Sequence, residues 1–121
     1  MIYDSSNSRT AFFEAKPTKA AKFAAFGMTK RAGRSASNDP GIAALLAAKA
    51  DAIVFVAKSW DYHVRVALEI SLEDNLDGIR DSVATAKAAG REVMLDCEHF
   101  FDGWKANRDY ALACAKAAYE A

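Results

Sequence analysis

The chain has 121 residues, 52% hydrophobic and 26% charged, a length for one domain and a balance that excludes a disordered polymer. Sixteen basic residues offset sixteen acidic ones, so no global field draws the chain to nucleic acid or an anionic membrane. No apolar run approaches the roughly 18 residues of a membrane span, and Met1-Ile2-Tyr3-Asp4-Ser5 lacks the apolar core of a signal peptide, so the expected compartment is the cytoplasm.

Residues 1–8 are polar and carry no periodic signal. Thr10 to Ala15 fits one or two helical turns, with Ser8 as a cap and an end before Pro17. Residues 22–27 predict a first strand, apolar except for Lys22, in which Gly27 lets the backbone bend. Met28, Thr29, Lys30 and Arg31 then form its tip. Residues 32–39, rich in Gly, Ser and Asn, predict a mobile loop.

Asp39-Pro40 predicts a helix start, an acidic cap followed by proline at the first helical position. That helix continues through Ile42, Leu45 and Leu46 to about Lys49. Residues 52–57 are an unbroken apolar run, which predicts a second strand covered on both faces. Trp60 to about Ile70 predicts a short helix.

Ser71-Leu72-Glu73-Asp74 resembles a capping box, with Asp in the usual Glu/Gln place. Leu72, Leu76, Ile79, Val83 and Ala86 recur at steps of four and three and make one apolar stripe, ended by Gly90. Val93, Met94 and Leu95 predict a third strand that turns polar at Asp96, Glu98, His99 and Asp102. Gly103 and a loop precede a last helix from about Arg108 to Tyr119.

Strands alternating with helices predict an α/β fold with a parallel sheet and right-handed crossovers. Three strands make either a small open sheet or part of a larger one. In such folds the carboxyl ends of the strands carry the site, and here three polar tips share that end. Cys97 and Cys114 form no C-x-x-C and read as small core hydrophobes. A nucleophilic Cys97 is disfavoured because Glu98 and His99, its neighbours, alternate faces along the strand.

The runs A-F-G-M-T-K-R (25–31), A-K-S-W-D-Y-H-V (57–64), L-E-D-N-L-D-G-I-R-D-S-V (72–83) and D-C-E-H-F-F-D-G-W-K-A-N (96–107) closely resemble citramalate synthases. These belong to the isopropylmalate/homocitrate synthase group of acyltransferases. The resemblance runs from about Ser6 to the end. It implies a partial TIM (β/α)8 barrel, about the second to fifth βα units, with residues 1–121 as a single incomplete catalytic-barrel fragment. A full barrel takes about 250 residues.

The implied reaction condenses acetyl-CoA, as substrate, with a 2-oxo acid, pyruvate in the citramalate synthases. The enolate of acetyl-CoA attacks the ketone, and thioester hydrolysis releases CoA, a step toward isoleucine. The family uses a divalent metal (Mg or Mn). Its Asp-Thr-Thr-Leu-Arg-Asp-Gly signature and a His-x-His pair are both absent from this chain, so no metal ligand is assigned. The resemblance also implies small-molecule partners and a homo-oligomeric full-length parent. The 121 residues alone are expected to be inactive, and poorly soluble or oligomeric, because an open barrel leaves strand edges unpaired.

Glu98 is the catalytic candidate that the resemblance supplies, orienting substrate or moving a proton; the alternative is a solvated rim acid. Lys58, Ser59 and His63 are candidates for the CoA phosphates or the oxo-acid carboxylate, with a packed, locally bonded helix histidine as the alternative for His63. Thr29, Lys30 and Arg31 are candidates for substrate or CoA, against solvated loop charge for the two cations. Asp96 shares the side of Glu98 by the period of two. His99 is expected on the opposite side if the strand persists, and Asp102 is expected to cap the following turn. Phe100, Phe101 and Trp104 read as packing, since no basic stripe accompanies them. Two rival readings are a non-catalytic α/β ligand-binding module and an interaction subunit that completes a barrel with another chain.

Overall fold

The computed structural model describes residues 11–15 and 20–121. Three strands, β1 (Ala24–Met28), β2 (Ala52–Lys58) and β3 (Glu92–Glu98), form one parallel sheet in chain order. Helix α1 (Pro40–Ala47) follows β1, and a short helix α2 (Asp61–His63) follows β2, running into a π-helical turn at Val64–Leu68. Helices α3 (Leu72–Ala88), α4 (Phe100–Ala106) and α5 (Arg108–Glu120) complete the order. This is the α/β alternation of a partial (β/α)8 barrel, laid out as one open sheet.

The helices take one face of the sheet. Helix α1 lies against β1, α3 against β2 and β3, and α5 against β3 and α3. The core joins Ile53, Phe55 and Ala57 of β2 to the stripe Leu76, Ile79, Val83 and Ala86 of α3, with Tyr110, Cys114 and Ala117 from α5. The other face carries the register rows Phe26–Val54–Met94 and Met28–Val56–Asp96. Helices do not cover it: Phe26 is 63% exposed, Met28 48% and Met94 44%. On the central strand β2, Ala52 and Val56 of this face are nonetheless buried. No helix among the described residues is long and apolar enough to cross a membrane.

Local chemistry explains the element ends. The Asp39 side chain accepts from the N–H groups of Gly41 and Ile42 and starts α1 as expected. Ser71 Oγ accepts from the Asp74 N–H at 3.0 Å and starts α3. At its far end Gly90 has φ 78°, its N–H reaches Lys87 O, and the Arg91 N–H reaches Ala86 O. Those two bonds make a Schellman motif, which needs a left-handed residue at Gly90. Arg91 then turns its guanidinium onto the carbonyls of Leu46, Ala48 and Ala50, tying the start of β3 to the end of α1.

Several boundaries differ from expectation. Residues 11–15 are helical, while Thr10, Ser8 and Pro17 lie outside the described residues. β1 starts at Ala24 rather than residue 22, because the Phe23 N–H is taken by the Asp51 carboxylate and Lys22 pairs with Glu92. α1 stops at Ala47, short of Lys49. The loop 32–39 has an anchored centre: a 3-10 turn at Ala36–Asn38 buries Ala36, whose N–H donates to Asp81.

The single helix expected over 60–70 becomes α2 plus the π-helical turn. It breaks at Glu69, whose φ of 55° ends the winding and releases Ile70 to pack against the core. The loop expected at Gly103 is helix α4 instead. A Cβ at Gly103 would stand 2.3 Å from Ser59 O, so glycine there marks a helix seated on backbone rather than a turn.

Candidate active site

The site begins where the sheet runs out of partners. Lys58 and Glu98 are opposite each other in the β2–β3 register, at the carboxyl ends of both strands. Their side chains form an ion pair on the uncovered face, Lys58 the more buried and Glu98 one-third exposed. Asp96 lies on the same face of β3, one row down beside Met28 and Val56, as the period of two requires. The charged pair, with Asp96 beside it, therefore stands at the rim of a surface whose middle row, Phe26, Val54 and Met94, is apolar.

Ser59 is turned the other way. It is 0% exposed, its Oγ donates to Glu98 O at 2.7 Å, and its N–H donates to the same carbonyl at 3.2 Å. Its hydroxyl braces the backbone of Glu98 and is closed off from solvent. On the other side of β2, the Thr29 N–H on Val56 O is the last bond toward β1. The next carbonyl on that side, Lys58 O, meets no strand, because the Arg31 N–H has turned to Asp39. Asn75 Nδ2 supplies the missing donor at 2.8 Å.

Asn75 Nδ2 also donates to Tyr110 Oη at 2.8 Å, and that hydroxyl reaches Leu72 O at 3.4 Å. Cys114 Sγ approaches Lys58 O at 3.8 Å. Burial pushes the Tyr110 hydroxyl well above the ordinary tyrosine value, with Asn75 opposing the shift. Burial also pushes the Cys114 thiol up to about 11, which keeps it protonated, as a core hydrophobe is. Cys97 is raised by burial and by the charge of Asp96, and lies on the helix-covered side.

Past the strand ends sits an aromatic group. The His63 ring packs on Trp60 (centroids 4.7 Å) and edge-on against His99 (4.6 Å), and its buried Nδ1 has no hydrogen-bond partner. The ring is thus packed, but the local bond expected of a helix histidine is not made. His99 does not continue the strand: at φ 55° it swings its Nδ1 to Asp102 Oδ2 at 2.9 Å. Asp102 consequently lies inside α4 and holds His99 instead of capping a turn. Asp61, also buried, accepts from Arg65 and Asn107. Phe100 packs near Trp104, Arg108 lies over the Trp104 ring, and Phe101 is exposed.

The β1 tip is held apart from this pair. Lys30 is folded against α3, its N–H on Ser82 Oγ and its Nζ on Arg34 O and near Asp77, so it is not a solvated loop charge. Arg31 is exposed and Thr29 half-buried. Both border a groove of about 880 Å³ between β1 and α1, which Lys58, His63 and Glu98 do not line. Asp39 anchors that side. Burial would raise its carboxyl, but N–H groups of Arg31, Ile42 and Gly41, with the charge of Arg34, hold it below the ordinary carboxylate value.

Thus Lys58, Ser59, Glu98 and Asp96 gather at two adjacent strand ends, with His63 beyond them and Thr29 and Arg31 on a separate opening. Asn75 and Tyr110 went unmarked in the sequence. The available signal was a polar residue on the buried side of α3, where Asn75, Ile79, Ser82 and Ala86 follow one another at helical spacing. No group of three or more His, Cys, Asp or Glu among the described residues is arranged to hold a metal, so the divalent ion implied by the resemblance finds no ligand set here.

No protein-family model matches the chain. Curated relatives do. The (R)-citramalate synthase of Streptomyces coelicolor is 48% identical over 103 residues, covering 85% of this chain and 19% of the relative. That of Geobacter sulfurreducens is 50% identical over 101 residues, with 84% and 19% covered. That of Sulfolobus acidocaldarius is 46% identical over 106 residues, with 88% and 20% covered. The chain spans about a fifth of the length of these relatives, and its sequence belongs with the citramalate synthase family.

Proposed function

We propose that the chain forms part of the catalytic domain of an acyltransferase that condenses acetyl-CoA with a 2-oxo acid, pyruvate first among them, and then hydrolyses the thioester. The observation that carries this reading is the Lys58–Glu98 pair, set in register at the carboxyl edge of a parallel sheet in a sequence close to (R)-citramalate synthases. Strand carboxyl ends are where α/β barrels do their chemistry.

In this reading Glu98 faces the reacting carbons, where a carboxylate can orient the acetyl group or move a proton. The Lys58 ammonium balances that charge in the free protein and offers a cationic partner for the oxo-acid carboxylate. Asp96 and His63 border the same space, while Thr29 and Arg31 take the CoA side through the β1 groove. Ser59 acts from behind, through the Glu98 backbone. The chain then works in the cytoplasm on small molecules, within a homo-oligomeric enzyme.

A chimera tests this. The aligned residues replace the corresponding stretch of the Geobacter sulfurreducens enzyme, and CoA thiol release is followed with acetyl-CoA and a series of 2-oxo acids. The expected result is release that depends on the oxo acid and is fastest with pyruvate. Glu98→Gln should lower kcat by about 100-fold or more, the scale of a lost acid–base or orienting group. A folded chimera without oxo-acid-dependent release would overturn the reading, and full activity in the Glu98→Gln form would remove Glu98 from the chemistry. The uncovered face bearing Phe26, Met28 and Met94 favours one second reading, an interaction unit whose sheet other strands complete. It predicts a folded but inactive chimera.

A further inference from the structure

We propose that Asn75 is a positioning residue for the Lys58–Glu98 pair, acting through the backbone of Lys58. The inference deepens the reading above and rests on it for its catalytic consequence, though not for its structural one.

The geometry is specific. β1 ends at Met28, opposite Val56 and two register positions short of Lys58, so it leaves Lys58 O without a strand partner, and a buried unsatisfied carbonyl is costly. Asn75 is itself buried, and both hydrogens of its amide nitrogen are committed, one to Lys58 O and one to Tyr110 Oη. Each acceptor is fixed in turn: Tyr110 by its helix and by Leu72 O, Lys58 by the β2–β3 ladder and by the bonds from Ser59 to Glu98 O. Asn75 therefore closes the β1 side of the last β2 residue while Ser59 closes the β3 side. With the Lys58 peptide held from both sides, its Cα–Cβ bond is fixed toward the uncovered face, on which Glu98 lies opposite it in the register.

Aspartate in place of Asn75 keeps the shape and removes both donors, setting an acceptor against the Lys58 carbonyl. The ammonium should then lose its register with Glu98. A helix that is merely weakened should not single out Lys58.

The test is competitive acetylation of lysines in the folded chain, read by mass spectrometry with exposed Lys87 as internal reference. Asn75→Asp is compared with Asn75→Leu and with Ser71→Ala, which loosens the same helix at its cap without touching Lys58. All are run where circular dichroism shows native helix content. The expected result is a rise of about threefold or more in the Lys58/Lys87 ratio for both Asn75 variants and none for Ser71→Ala. In the chimera, Asn75→Asp should lower kcat by about tenfold with the KM for acetyl-CoA unchanged. An unchanged labelling ratio, or an equal rise in Ser71→Ala, would overturn the proposal. A labelling rise beside an inactive parent chimera would support the positioning role and overturn only the synthase reading.

Discussion

Gly103 shows how one missing side chain can hold a site together. Its helix rests on the Ser59 carbonyl, which a Cβ would approach to 2.3 Å, and backbone cannot step aside as a flexible side chain can. Gly103→Ala should cost about 1–3 kcal/mol by overpacking, read as a lower urea midpoint. It should also lower chimera activity, because Ser59 braces Glu98. The Asp39 carboxyl supports a second prediction. Its folded value lies below the ordinary one, so its contribution to stability is present above the unfolded value and is lost as pH falls through the folded value. Asp39→Asn should be less stable at neutral pH and show a shallower loss in acid, as urea titrations at a series of pH values would record.

At the scale of elements, periodic and capping signals were legible and long-range ones were not. The Asp39-Pro40 start, the Ser71 cap, the α3 stripe and the Gly90 stop all depend on neighbours within a turn, so the letters carry them. Glu98 and Asp96 share a face for the same kind of local reason. Phe-Phe-Asp-Gly-Trp reads as a turn until Ser59 is known to lie beneath it, and nothing near Lys58 foretells that Asn75, seventeen residues on, completes its bonding. The same distinction marks Arg91, whose guanidinium gathers three carbonyls from the end of α1 and the α1–β2 connection across more than forty residues. Arg91→Met keeps the aliphatic stem and strands those acceptors. A loss of about 2 kcal/mol is expected, from charged hydrogen bonds in a partly wet setting, and thermal unfolding would measure it.

For the whole molecule, the face opposite the helices governs behaviour in solution. Phe26, Met28 and Met94 form an apolar surface, and β1 offers a free edge among the described residues. The expressed 121-residue chain should therefore self-associate and bind ANS. Phe26→Lys with Met94→Lys should shift sedimentation toward monomer while leaving helix content intact, whereas a monodisperse parent would show that this surface does not drive association.

Sheet order equals chain order, which bears on how the molecule is made. Ala24 meets Ala52, and Ala52 meets Glu92, so each strand docks on the one synthesised just before it. Among the described residues no pairing waits for a distant segment, and loop-closure entropy stays modest at every addition. A ribosome can thus release this sheet one strand and its helix at a time, each new unit finding its template already folded. The helix bearing Asn75 emerges before the strand bearing Glu98, so the Lys58 carbonyl can be secured before its acidic partner exists.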